Sequence, residues 1–286
     1  MNVTLWGTRG SVPTPGPQTV RYGGNTSCVE VRTRPDRVVV LDAGTGIRGL
    51  GTSMGPDVRR VDILLTHLHL DHIQGLGFFD PLSRPGLEIH LWGPAPTAQV
   101  LRARLSRYLS PPLFPVRLRD RACDLTLHAV QPGRLAMPGL EVHAGLVHHR
   151  GRTVGYRLSD GLGSLAYVPD HELEPGRGSA SGWRSASGHE LVRGVDVLIH
   201  DAQYSVDEYP EHAGWGHSTV DEAISFAASA EVGRLVAFHH DPAHDDRAID
   251  RLLESALAVH EPALEVVAAV EGSTFAIGDS TVTAAA

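Results

Sequence analysis

An α/β chain, residues 1–286 as one domain of two packed sheets with outer helices, is the architecture the sequence predicts. Three observations carry it. Short β-branched runs bounded by Gly and Pro turns alternate with helical patterns. The theme runs twice with no linker between the halves, which makes two layers packed in one domain the simplest reading. No apolar run approaches the roughly 20 residues of a bilayer span. A composition of 42% hydrophobic and 20% charged residues is that of an ordinary globular chain.

The elements follow in order. Residues 3–5, 29–31 and 38–41 read as strands closed by turn residues. Between the first two lies the loop 7–27, rich in Gly, Pro, Ser and Thr; so long a loop in a compact domain is usually functional or disordered. Residues 63–66 form a buried strand, 88–91 another, and 97–107 a helix. Strands recur at 125–129, 140–143, 154–158 and 165–168. Residues 174–188, rich in Gly, Ser and Arg, read as a mobile surface excursion. Residues 195–200 form a strong buried strand. A helix at 219–230 carries Val220, Ala223, Ile224 and Ala227 at helical spacing, with Ser218 as its N-cap. A strand at 235–238, a helix at 246–259 and strands near 264–270 and 274–277 complete the reading.

Net charge is −8, and every basic residue is Arg. An acidic chain lacks the broad positive field that tracks long nucleic acid, which is disfavoured as a partner; a small anion at a locally positive site is compatible. Two cysteines, Cys28 and Cys123, cannot form a disulfide framework and read as buried thiols in a reducing compartment. The N-terminus shows no basic start followed by an apolar stretch, so a cytoplasmic protein without a membrane partner is expected. The oddity is histidine, 17 residues against 6 Phe.

The sharpest signal is Thr66-His67-Leu68-His69-Leu70-Asp71-His72, entered from a buried strand and followed by a helical pattern. Three imidazoles and a carboxylate so close together have the composition of a metal site. Residues two apart point the same way in an extended backbone, so His67 and His69 can grip one ion. Asp71 and His72, at the helix entrance, turn toward a second.

This motif resembles the His-x-His-x-Asp-His signature of the metallo-β-lactamase superfamily, and Asp42-Ala43-Gly44 resembles its Asp-x-Gly turn. The resemblance spans nearly the whole chain and implies a four-layer αββα sandwich of two mixed sheets. It also implies further ligands. A His six residues before Gly155-Tyr156 is His149, with His148 competing. Asp170, closing Leu165-Ala166-Tyr167-Val168-Pro169-Asp170, would bridge the ions. His239 would complete the set, with His240 second. His67, His69, His149 and Asp170 would then hold one ion, and Asp71, His72, Asp170 and His239 the other. Such ligands suit two divalent ions, Zn first, with Mn or Fe as alternatives. Neither Cys falls at a ligand position, unlike the lactamase class that uses one.

Trp215-Gly216-His217-Ser218-Thr219 and Leu198-Ile199-His200-Asp201-Ala202 resemble the His-Ser-Thr and His-Glu-Ala segments of ribonuclease Z and its cyclic phosphodiesterase relatives. The resemblance implies His217 as the general acid. Asp201, where ribonuclease Z has Glu, would be its partner at shorter reach. His200 reads as a packed strand histidine. Asp71 could also accept the proton of the attacking water. The segments Gly7-Thr8-Arg9-Gly10-Ser11-Val12-Pro13 and Tyr22 to Cys28 resemble a bacterial subgroup of these hydrolases. Arg9 and Asn25 there are candidates for binding substrate, against a purely structural loop over the sheet edge.

The expected activity is hydrolysis of a small cyclic or nucleotide-like phosphodiester. Hydroxide formed on the metal pair would attack phosphorus while His217 protonates the leaving oxygen. A carboxylic ester, lactone or thioester hydrolase on the same scaffold is the alternative, as is a transfer-RNA 3′-processing endonuclease. A metal sensor is disfavoured because every ligand position is filled. Against the nuclease, no Gly/Pro/Lys-rich arm separates the first motif from His149. The Arg-rich stretch 102–121 reads foremost as a solvated face. Relatives are often dimers, so a homodimer is also expected from the resemblance.

Overall fold

The structure, a computed structural model, describes residues 1–173 and 183–278. Strands β1 (Asn2–Gly7), β2 (Cys28–Arg34), β3 (Arg37–Leu41), β4 (Arg60–Leu64), β5 (Glu88–Pro94) and β6 (Asp124–Val130) lie side by side in that order. The second sheet runs in reverse chain order from β13 (Glu265–Ala268) through β12 (Arg234–Phe238), β11 (Val197–Asp201), β10 (Ser164–Val168), β9 (Thr153–Ser159) and β8 (Glu141–Val147) to β7 (Gly133–Leu135). The last described strand, β14 (Thr274–Ala276), returns to the first sheet and pairs antiparallel with β1. Both sheets are mixed: β3 to β6 run parallel, as do β10 to β13, and the remaining pairs are antiparallel.

The parallel strands are covered on both faces and so read as continuous apolar runs. In β3, Val39 and Leu41 enter the core between the sheets, while Val38 and Val40 face helices α1 (Ile47–Ser53) and α3 (Ala98–Tyr108). In β11, Val197 and Ile199 point inward, and Leu198 packs with Val220, Ala223, Ile224 and Ala227 of α6 (Val220–Ser229). Helix α7 (Asp246–His260) adds Ala256 to that outer layer. Two mixed sheets back to back, with helices outside each, make the expected four layers; short helices α2 (Leu70–Ile73), α4 (His189–Val192) and α5 (Tyr209–His212) lie between these elements. None of the helices is long and apolar enough to cross a membrane among the described residues.

Three local readings change. The cap of α6 is Thr219, not Ser218. Thr219 Oγ1 accepts from the Glu222 N–H, and the Glu222 carboxylate accepts from the Thr219 N–H, a reciprocal capping box. Ser218 instead donates its hydroxyl to the His171 carbonyl. Of the expected excursion, residues 174–182 lie outside the described residues. In the remainder, Arg184 and Ser185 are exposed, whereas Ala186 is buried and Ser187 Oγ takes the His148 N–H. Strand β7 and helix α1, with its Gly49 and Gly51, lacked the length or period to be read from sequence.

The topology sets the place of chemistry. Parallel neighbours end at the same edge, and polar residues follow β3, β4, β10 and β12 there, while β11 ends on Asp201: Asp42, His67, Asp170, His239 and Asp201. Ligand sites in α/β sheets form at such carboxyl ends. Replacing Thr219 with Ala is expected to cost about 1 kcal/mol, read as a lower denaturation midpoint. Thr219→Ser should restore it, and an unchanged midpoint in the Ala variant would refute the cap assignment.

Candidate metal centre and proton donor

The site is built outward from Asp42. This residue adopts a left-handed backbone (φ 60°) directly after β3, in full burial. Its carboxylate accepts from the Thr66 N–H at 2.7 Å, the Thr66 hydroxyl at 2.8 Å and the Tyr167 hydroxyl at 3.0 Å. It also takes the His72 Nδ1–H at 2.8 Å. Asp42 is thus a support, and Nε2 is left as the free nitrogen of His72. Because the Thr66 proton is committed to Asp42, His67 Nδ1–H donates to Thr66 Oγ1 at 3.1 Å, which leaves His67 Nε2 free as well.

Two ligand groups converge on Asp170. In the first, His67 Nε2 and His149 Nε2 stand 3.7 and 3.5 Å from Asp170 Oδ2, and His149 Nε2 is 3.3 Å from His69 Nδ1. In the second, Asp170 Oδ1 lies 3.1 Å from His72 Nε2 and 3.3 Å from His239 Nε2. Asp71 Oδ2 is 3.2 and 3.3 Å from the same two nitrogens. Each group of four offers ligand atoms all within 4.8 Å of one another. These are the two sets expected from the sequence, with Asp170 shared.

The residues fit divalent ions. His67 Nε2, His72 Nε2 and Asp170 Oδ1 are buried and have no hydrogen-bond partner, a state that costs free energy unless something else satisfies them. Tetrahedral ligands at Zn-like bond lengths sit about 3.4 Å apart, close to the separations above. Burial lowers the proton affinity of His67, His69 and His149, so these rings favour the neutral form that binds metal. Despite its burial, Asp170 stays ionised, its carboxyl held well below the usual range by His239, His72 and His67. Asp71 shifts down as well: burial opposes the shift, and His72 and His239 drive it.

The rings are held from behind, which fixes where their ligand nitrogens point. His149 Nδ1–H donates to the Gly216 carbonyl at 2.6 Å, and His239 Nδ1–H to Gln203 Oε1 at 2.9 Å. Gly216 sits at φ 98°, and a Cβ there would lie 2.3 Å from His149 Nδ1, so only glycine fits. Glu172 secures the same loop, accepting from the Gly216 N–H at 3.0 Å and from the Gly214 N–H and the Tyr209 hydroxyl.

Beside the second ligand group stands His217. Its Nδ1–H donates to Asp201 Oδ2 at 2.7 Å, and its ring stacks on His239 at 4.9 Å. Asp201 is itself fixed by the His171 and Gln203 N–H groups, at 3.0 and 3.1 Å. Burial works against a charge on His217, but the Asp201 carboxylate more than offsets it, and the pKa is pushed up to about 9. The shorter Asp side chain therefore reaches.

Other expected residues stand elsewhere. His148 faces away, its ring against the Glu172 carbonyl, and His240 bonds the Ala269 carbonyl. His200 is packed against His171 in the interior. Cys28 and Cys123 are buried free thiols outside both ligand groups. For Arg9 and Asn25 the hydrogen bonds favour the structural-loop alternative. The Arg9 guanidinium is buried and donates to the carbonyls of Gly23, Asp241 and His244, and Asn25 Nδ2 donates to Glu271. The bonds made by Arg9 Nε and Nη1 and by Asn25 Nδ2 brace the loop, while Arg9 Nη2 is buried without a hydrogen-bond partner. The loop reaches the centre through backbone instead: the Ser11 N–H donates to Asp71 Oδ2 at 2.8 Å, and a Cβ on Gly10 would lie 2.4 Å from His239 Nδ1. Sequence reading missed Glu172, Gln203, Tyr167 and Ser11. For Gln203 a signal existed, since it stands two residues beyond Asp201 at the same strand end.

Comparison with known proteins agrees. The family described as the beta-lactamase superfamily domain matches residues 37–240. A relative named ribonuclease Z, from Mycobacterium marinum, is 27% identical over 263 residues, covering 85% of this chain and 87% of its own. The metallo-β-lactamase fold protein YhfI of Bacillus subtilis superposes with a TM-score of 0.70 at 19% identity, covering 96% of this chain and 98% of its own. A diphosphatase of the PhnP family gives 0.69 at 20% identity, covering 96% and 97%. With its ligand-bearing strand ends inside the matched span, the chain belongs to the β-lactamase superfamily, as a metal-dependent ester-bond hydrolase of the metallo-β-lactamase fold.

Proposed function

We propose that the protein hydrolyses a small cyclic or nucleotide-like phosphodiester, using two divalent ions, Zn before Mn or Fe. The observation that carries this reading is the His217–Asp201 pair at 2.7 Å, packed on His239 beside two complete ligand groups. An alkoxide is a poor leaving group, and a phosphodiester gains from a placed acid more than an activated ester does. When bound, the ion pair would neutralise the phosphate and bring the pKa of a water toward about 7.

The chain's own residues supply the remainder. His67, His69, His149 and Asp170 would hold one ion, and Asp71, His72, Asp170 and His239 the other. Asp71 Oδ2, steadied by the Ser11 N–H, is the carboxylate placed to take a proton from the attacking water. His217 gives its proton to the leaving oxygen as the P–O bond breaks. Asp201 orients that ring and stabilises its charged form. The reading takes residues 1–286 as one metallo-β-lactamase-like domain, supported by ligands drawn from both sheets. It places the protein in the cytoplasm, supported by two buried free thiols.

A second reading, a transfer-RNA 3′-processing endonuclease, is favoured by the ribonuclease Z relatives. Against it stands a net charge of −8, which repels a long polyanion.

Three measurements test the proposal. With Zn- or Mn-loaded protein and a panel of cyclic nucleotides and bis-aryl phosphodiesters, His217→Ala should lower kcat by about 10²–10⁴ with metal content unchanged. Diester inertness in protein holding two ions, with lactone or thioester cleavage indifferent to His217, would overturn it. Asp170→Asn should lower the bound metal, counted by elemental analysis, below the wild-type two per chain; retention of both would remove Asp170 as the bridge. The acid is active while protonated, so wild-type rate should fall as pH rises toward the raised pKa of about 9. Asp201→Asn should move that alkaline limb to lower pH, and an unmoved limb would deny the pair its role.

A further inference from the structure

A cleft of 330 Å³ opens directly beside the first ligand group, with His67 and His69 in its wall. Four arginines line the same cleft: Arg104 and Arg107 from α3, and Arg150 and Arg152 from the turn that follows His149. No Asp or Glu lines it. All four arginines are exposed, and among the described residues none lies within ion-pair distance of a carboxylate. Arg150 donates to the Gly214 carbonyl at 2.6 Å and Arg152 to the Gln131 side chain, neutral partners that steer the guanidinium without cancelling its charge.

Some arginines elsewhere are neutralised by carboxylate partners. Arg37 and Arg60 share Asp62, Arg32 pairs with Glu30, and Arg21 with Asp250. Four uncompensated guanidinium groups around one cleft, in a chain of net charge −8, form a local positive field. Guanidinium is a planar fork of donors that matches phosphate oxygens two at a time. The cleft's volume is at the small end of the range for small-molecule sites, enough for one anionic group and its linker.

We infer that this arginine cleft holds a second phosphate of the substrate, which makes the preferred substrate a small phosphodiester carrying an additional phosphate. The inference deepens the proposed phosphodiesterase reading and rests on it. The scissile diester would lie at the ligand groups, and the second phosphate would reach past His69 to Arg104, Arg107, Arg150 and Arg152.

The test compares adenosine 2′,3′-cyclic phosphate with the same compound bearing a 5′-phosphate, for wild type and an Arg104→Ala/Arg107→Ala double variant. Wild type should prefer the phosphorylated diester by about ten-fold or more in kcat/KM, the scale of one or two charged hydrogen bonds. In the variant that preference should collapse toward one. A second arm uses metal-free protein and calorimetry: 5′-AMP should bind more tightly than adenosine, and the variant should lose the difference. Equal turnover of the two diesters, an undiminished preference in the variant, or a short RNA outrunning both would overturn the inference. If neither diester is cleaved while the calorimetric difference appears and vanishes in the variant, the phosphodiesterase reading fails and the phosphate cleft stands. If the calorimetric difference is absent too, both fall.

Discussion

Asp170 is a carboxylate with almost no access to water, surrounded by imidazoles, and the rest of the site depends on that placement. A buried charge is tolerated only when its surroundings compensate it. Here the compensation comes from His67 and His149 on one oxygen, and His72 and His239 on the other. Those residues follow strands of both sheets, so the distance between the sheets also sets the distance between the ligand groups. The apolar contacts of Leu41, Tyr167 and Phe238 between the layers are therefore part of the centre's geometry.

Hydrogen-bond partners behind the rings turn loose imidazoles into directed ones. Asp42, Gln203 and the Gly216 carbonyl each occupy one ring nitrogen and leave the other for a ligand. Two of the residues that follow strand ends, Asp42 and His239, sit at positive φ. Left-handed backbone at a non-glycine residue is a modest strain that the surrounding bonds must hold in place. Its concentration at the site shows that direction of side chains was favoured there over backbone comfort.

Much of this was legible in the chain. The cluster at residues 66–72 announces itself because its ligands are neighbours and a strand aims them. The layered fold is legible because parallel strands buried on both faces are continuously apolar. The choice between His148 and His149 was open, since adjacent residues point oppositely and only a tertiary partner, the Gly216 carbonyl, decides. The same holds for His239 over His240. The roles of Arg9 and Asn25 were open for a related reason. A polar side chain in a loop can serve a ligand or serve the loop, and composition is the same in both cases. Glu172 acts through residues some forty positions away, so no local pattern could have disclosed it. The Thr219 cap was available from the Glu222 three residues later, a pattern overlooked in favour of its neighbour.

The pairing of β14 with β1 has a consequence for how the molecule comes into being. The first six strands of that sheet are all translated by residue 130, yet one flank of β1 has no partner until residue 274 follows. Through the intervening synthesis, a row of amides and carbonyls at that margin remains free to recruit any extended segment nearby. Nascent chains stalled in this interval would be the ones most prone to cling to one another, and to need a chaperone's cover.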